Sequence, residues 1–324
     1  MNLLGLQGSP RKKGNTRYLL ELFLKEAEKL GAKTHLVEVD TKKIQPCKEY
    51  TVCEKKGYCP IDDDMSREIY PLLRESEVIV MATPVFFYGP TAQMKALIDR
   101  TQTLWARKYK LNLTDPGRRF RRGFLLSLGA TKGANLFEGI TLTAKYFFDA
   151  VGAEFNGSLL YRKIEGIHDM EKHPTVLEDV RREVKALLSP LSGRPKILFT
   201  CRENACRSQM AAAFAQQYAG DRIEVLSAGT QPAPAPNSTM IEAMQEKGID
   251  MGFRRTRKLD EALAGFPPRM IITMGCGEEC PAVPGVKRED WALPDPSGKS
   301  MELMREVRDK IEEKVKELIA QNLN

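Results

Sequence analysis

Nowhere in the 324 residues does an apolar run approach the roughly 20 residues needed to cross a bilayer, and the N-terminus has no signal-peptide layout. A cytoplasmic protein with no membrane partner is expected. Cysteine is sparse. The seven thiols, an odd number, sit at spacings that build no disulfide framework, which excludes a small secreted scaffold. Neither sign of charge dominates: 50 Lys and Arg face 43 Asp and Glu. The resulting +7 favours anionic ligands but is too evenly interrupted to argue for nucleic acid. The densest basic run, Arg118-Arg119-Phe120-Arg121-Arg122, reads as a solvated loop. No repeat of roughly 20–50 residues recurs, so solenoids and propellers are left out. What is there is ordinary globular composition, 42% hydrophobic and 29% charged, long enough for two domains and a sizeable core.

The most informative stretch starts at Lys196. An apolar, β-prone run, Ile197 to Thr200, ends in Cys201. Arg202, Glu203, Asn204, Ala205 and Cys206 lead to Arg207 and Ser208, and a helix-favouring run follows from Met210. Strand, tight loop and helix in that order make an oxyanion nest, because loop N–H groups and the helix N-terminus converge on one point. A thiol placed there is favoured in its nucleophilic form. Arg207 can fork two donors onto a tetrahedral anion, and Ser208 can donate to the sulfur. Cys206 reads as structural. The loop resembles the phosphate loop of low-molecular-weight protein tyrosine phosphatases and of arsenate reductases built on the same fold.

Before it, strand-like and helix-like runs alternate: Asn2 to Leu6, Thr16 to Leu30, Thr34 to Val39, Val78 to Ala82, Ala92 to Ala106, Gly123 to Leu128 and Gly139 to Val151. That alternation predicts a doubly wound parallel sheet, an α/β domain with ligands at the carboxyl ends of its strands. Three loops stand at such ends. Gly8-Ser9-Pro10-Arg11 through Gly14-Asn15-Thr16 suits a phosphate over a helix N-terminus. Pro84-Val85-Phe86-Phe87 can wall a planar ring, and Gly129 opens the third loop. Together they fit a flavin mononucleotide site.

Residues 1 to about 165 resemble the flavodoxin-like NAD(P)H-dependent FMN reductases and their iron–sulfur flavoprotein relatives. The resemblance rests on the Gly8–Thr16 loop, Asp62-Asp63-Asp64-Met65, Thr83 to Phe87, and Ala96 to Arg100. It implies that Ser9, Arg11, Asn15 and Thr16 hold the FMN phosphate, and that Pro84, Val85, Phe86, Phe87 and Gly129 flank the isoalloxazine. It further implies NAD(P)H as donor and a homo-oligomer. Cys47, Cys53 and Cys59 stand where those relatives carry a four-cysteine cluster motif, but position 50 is Tyr50. Three thiolates do not complete the usual set, so no metal is expected; a zinc site with a fourth ligand from elsewhere is a weaker alternative, and free thiols or a redox pair stay open.

Two prolines and a glycine within 189–195 mark a linker between a first domain, 1–188, and a second, 196–324. The second domain repeats the pattern on a smaller scale: strands at Ile223 to Leu226 and Met270 to Met274, helices at Met240 to Lys247 and Met301 to Ala320. Asp295-Pro296-Ser297-Gly298 matches the family's acid loop, which implies that Asp295 protonates the leaving oxygen. Gln209 follows the reductase pattern, the aromatics that grip a phenyl ring are missing after Asp295, and Cys276 and Cys280 add two thiols. The resemblance then implies a Cys201–Cys276–Cys280 relay that turns arsenate into arsenite, with thioredoxin or another thiol as reductant. Ala211-Ala212-Ala213 lacks the glutamate of relatives that bind potassium, so no potassium site is expected. A flavin-linked arsenate reductase leads. A phosphatase, or an independent flavin, quinone or organoarsenical oxidoreductase in the first domain, remains the alternative.

Overall fold

The computed structural model describes residues 1–264, 267–275 and 283–322. The chain divides into two compact units, Met1–Asn112 with Phe120–Ser192, and Leu113–Arg119 with Gly193–Asn324. Each is built on its own parallel sheet.

The first unit runs β1 (Asn2–Gln7), α1 (Asn15–Lys29), β2 (Lys33–Glu38), α2 (Val52–Lys56), α3 (Tyr70–Glu75), β3 (Val78–Pro84), α4 (Ala92–Arg100), α5 (Gln102–Tyr109), β4 (Arg122–Gly129), α6 (Glu138–Ala150), β5 (Glu154–Arg162) and α7 (Val176–Leu188). Its strand order β2-β1-β3-β4-β5 is flavodoxin-like. Val78, Val80 and Ala82 on β3 join the core built with Leu19 and Phe23 of α1 and Val180 and Val184 of α7. Ile79 and Met81 point to the other face and are equally buried. Burial on both faces is why β3 runs apolar from Val78 to Ala82, not alternating. The run expected as one helix from Ala92 is two helices hinged at Thr101.

The basic run is not a solvated loop. Arg121 is 2% exposed and donates to the carbonyls of Ser76 (2.8 Å), Arg74 (3.0 Å) and Val151 (3.1 Å). A guanidinium carries five donors, so it can collect several buried carbonyls at once.

The second unit has β6 (Lys196–Cys201), α8 (Arg207–Ala219), β7 (Glu224–Gly229), α9 (Ser238–Gln245), α10 (Leu259–Leu263), β8 (Met270–Thr273), β9 (Lys287–Asp290) and α11 (Met301–Asn322), with sheet order β7-β6-β8-β9. Ile197, Phe199 and Cys201 alternate toward the face covered by α8, α9 and α11, while Leu198 meets Leu259 and Ala262 of α10 on the other. The segment 113–119 belongs to this unit, with Thr114 bonded to Gly248 O (2.7 Å) and accepting from Asp250 N (2.8 Å).

An ionic lattice joins α9 to α11. Glu246 pairs with Arg305 (2.6 Å) and Arg308 (3.0 Å), and Asp309 with Arg308 (2.9 Å) and Lys247 (2.9 Å). The Arg305 hydrogen bond chiefly holds Glu246 down from 4.5 to about 2, and Arg308 does the same for Asp309, from 3.8 to about 2. Because the folded values lie below the free ones, these pairs contribute fully above about pH 4.5 and fade as pH falls toward 2. Thermal midpoints of the second unit should therefore fall across that window, and fall less steeply in Glu246→Gln. A midpoint flat from pH 4.5 to 2 would contradict the lattice.

Candidate functional site

β6 delivers Cys201 to the carboxyl edge of its sheet, 2% exposed, and α8 starts six residues later at Arg207. The turn between them depends on Asn204, in the left-handed region at φ 51° and fully buried. Asparagine tolerates that conformation better than most residues. Its amide nitrogen donates to Ser208 Oγ (2.8 Å), while its oxygen accepts from Arg257 N (2.9 Å) and Gln209 Nε2 (3.3 Å). Ser208 Oγ, accepting from Asn204, lies in hydrogen-bond contact with Cys201 Sγ at 3.0 Å.

The loop's carbonyls are taken up from outside. Gln231 N bonds Arg202 O (2.8 Å), Ala233 N bonds Glu203 O (2.9 Å) and Asn237 N bonds Ala205 O (3.0 Å). Gly229, beside Cys201 in the sheet, leaves the room for this: a Cβ there would sit 2.6 Å from Arg202 O and 2.8 Å from Asn204 N. Cys206 is buried, and burial first, Cys201 second, pushes its thiol up to about 12. It stays a thiol at neutral pH and does not compete as nucleophile.

Arg207 is held in place by its own donors. Nη1 reaches Met274 O and Leu293 O, both at 2.9 Å, and Nη2 pairs with Asp295 Oδ2 at 2.8 Å. Its Nε is buried and has no partner among the described residues. A buried guanidinium donor with no described partner is a costly arrangement that an oxyanion would complete. Asp295 is half-exposed, and its other oxygen accepts from Ser297 N (3.1 Å). Thus the residues expected around Cys201 come together, whereas Cys276 and Cys280 lie outside the described residues. Arg257 and the carbonyls clamping Arg207 were missed, since nothing in their local sequence marks them.

In the first unit the three strand-end loops enclose a cavity of about 290 Å³, lined by Ser9, Arg11, Asn15, Thr16, Pro84, Val85, Phe86 and Gly129, with Ile164 and Glu165 closing it. The N-terminus of α1 has no side-chain cap and no acid in its first turn, so its dipole and N–H groups remain for a phosphate. The residues therefore fit FMN. Asn15 also secures the wall: its amide donates to Gly166 O (2.8 Å) and accepts from Met170 N (3.1 Å). Phe87 is not on that wall. Phe87 and Tyr88 occupy the two left-handed positions (φ 48° and 64°) of a turn closed by Phe86–Gly89 hydrogen bonds, and the Phe87 ring is fully exposed.

Cys47, Cys53 and Cys59 line a separate cavity of about 400 Å³. Tyr50 also lines it, where a fourth thiolate would be needed, and no group of three His, Cys, Asp or Glu side chains among the described residues converges to hold a metal ion. A four-thiolate iron–sulfur cluster does not fit this ligand set.

Residues 196–324 match the family model of low molecular weight phosphotyrosine protein phosphatases, and residues 1–125 that of NADPH-dependent FMN reductases. A glutaredoxin arsenate reductase of Synechocystis is 37% identical over 127 residues, 39% of this chain and 96% of that protein. Through its second unit the chain belongs to the arsenate reductase family. A solved arsenate reductase in the phosphate-binding state is 35% identical over 39% of this chain and 98% of its own, at a TM-score of 0.36. An iron–sulfur flavoprotein of Archaeoglobus fulgidus is 43% identical over 107 residues, 33% of this chain and 54% of that protein. The chain spans about half the length of the flavoproteins it matches. No helix among the described residues is long and apolar enough to cross a membrane.

Replacing Asn204 tests the loop's keystone. Asn204→Ala strands Arg257 N–H, removes one of the two acceptors of Gln209 Nε2 and leaves a left-handed alanine, so a loss of about 2–4 kcal/mol is expected in urea unfolding. Asn204→Gly relieves only the backbone strain and should recover about 1 kcal/mol of it. Equal stability of all three chains would show that the amide holds nothing.

Proposed function

We propose that the second unit reduces arsenate to arsenite and that the first binds FMN and handles electrons from NAD(P)H. The observation that carries this is Arg207, six residues after Cys201, with a buried Nε that has no described partner and Asp295 on its Nη2. Cys201 sulfur attacks arsenic in the nest, and Asp295 gives its proton to the departing oxygen, which leaves as water. Cys276 then attacks Cys201 sulfur. The As–S electron pair stays on arsenic, releasing As(III), and a Cys201–Cys276 disulfide forms. Cys280 attacks Cys276, restores the Cys201 thiol and leaves a Cys276–Cys280 disulfide that takes two electrons to reopen. Met274, two residues before Cys276 in the sequence, lends its carbonyl to Arg207.

Bound FMN would supply two-electron chemistry by accepting hydride from NAD(P)H. Ser9, Arg11, Thr16 and the bare end of α1 would hold its phosphate, and Pro84, Val85 and Phe86 would exclude water from its ring. Thioredoxin or another thiol is the other source of electrons. A homo-oligomer through the first unit is also part of this reading, with the exposed Phe86–Tyr88 turn as its contact surface.

Purified protein given NADPH, FMN and arsenate should release arsenite. Cys201→Ser should lower the rate by roughly 1,000-fold or more, Cys276→Ser similarly, and Cys206→Ala hardly at all. Turnover appearing only with thioredoxin and its reductase would refute the direct flavin route. Fast aryl phosphate hydrolysis undiminished by Cys276→Ser would establish the phosphatase reading instead.

A further inference from the structure

We propose that Cys47, Cys53 and Cys59 form a three-thiol site for arsenic(III), the product of the reaction assigned above, on which this inference rests. The three thiols line one cavity within the first unit, and none of them is in a disulfide. A tetrahedral or cluster site asks for a fourth ligand, which Tyr50 does not supply. Arsenic(III) asks for three.

The charge balance points the same way. Each of three As–OH bonds is exchanged for an As–S bond, each thiol proton leaves with a hydroxide as water, and no electrons move. A neutral acid and three neutral thiols thus give a neutral adduct. Three thiolates around a divalent cation would instead leave a net negative charge in a partly buried cavity. Burial, then the neighbouring Cys59, pushes the Cys53 thiol up, so this pocket disfavours thiolate charge.

The thiols do not converge to ligating distance in the present conformation, so binding must draw them together. The loop that carries Cys47 is built for such a change. Residues 43–51 form neither helix nor strand, Cys47 is exposed, and Glu49 and Thr51 both stand in the left-handed region, at φ 53° and 55°. A β-branched residue there is a genuine outlier and stores backbone strain. Arg100, 1% exposed, pairs with Asp63 at 2.7 Å and reaches the carbonyls of Gln45 (2.9 Å) and Ile61 (3.3 Å), which ties down both ends of the segment 45–61 that carries the three thiols.

The test uses the full chain with Cys201, Cys276 and Cys280 changed to serine, reduced, and titrated with sodium arsenite. One arsenic per chain is expected, with X-ray absorption showing three sulfur neighbours and no oxygen. Cys47→Ser, Cys53→Ser or Cys59→Ser should each replace one sulfur by oxygen and weaken binding roughly 100-fold, as a lost chelate arm does. Oxygen neighbours in the parent, binding indifferent to the three serines, or iron or zinc held by these cysteines in the purified protein would overturn the site. Arsenite is added directly, so a chain that binds it without reducing arsenate would count against the proposed activity alone.

Discussion

The chemistry of the second unit depends on one buried amide. Asn204 sets the left-handed residue that turns the chain after Cys201, and its side chain reaches three partners. Through Ser208 it reaches the hydroxyl that contacts Cys201 sulfur, and through Arg257 it ties the loop to a distant segment. Without it the nest would be an ordinary turn whose N–H groups could face anywhere. The external donors to Arg202, Glu203 and Ala205 then keep the carbonyls from turning inward. An anion site made of backbone needs this kind of over-determination, since each peptide unit carries a donor and an acceptor of equal strength.

Both units apply one rule to different ligands. A parallel sheet brings several strand ends to one edge, and the loops there are free of the pairing that fixes the strands. In the first unit three such loops surround a cavity. In the second, β6 and β8 contribute Cys201 and Met274, while the stretch after β9 contributes Leu293 and Asp295. The site is assembled from pieces nearly a hundred residues apart, which is why its parts arrive as strand-end loops.

Much of this was legible in the sequence, and the misses have physical reasons. β1, β3, β4, β6 and β8 are apolar because both faces are covered, so their runs stand out. β9 reads Lys-Arg-Glu-Asp and is exposed throughout, an edge strand that no hydrophobic pattern betrays. Yet its Asp290 bonds Gly275 N (2.9 Å), at the threshold of Cys276. β5 escaped for a similar reason: an edge strand broken by Gly157 at φ 124°, paired to β4 through a register shift. Phe87 was assigned to the flavin wall because aromatic residues suit a ring, but a side chain's direction follows backbone φ, which composition does not reveal. Arg121 shows the same limit: a charge run looks solvated until the carbonyls that surround it are known.

Arg207 presents the remaining problem of balance. Two of its nitrogens are committed, Nη1 to carbonyls and Nη2 to Asp295, and only Nε waits in the loop without a described partner. The carbonyl pair fixes the guanidinium plane, so an incoming oxyanion meets a preset fork and does not have to order it. That anion must share the fork with the Asp295 carboxyl, and two negative groups on one cation repel at this range. The carboxyl is half-exposed, so of the two it is the group that water can solvate while an anion takes the buried Nε.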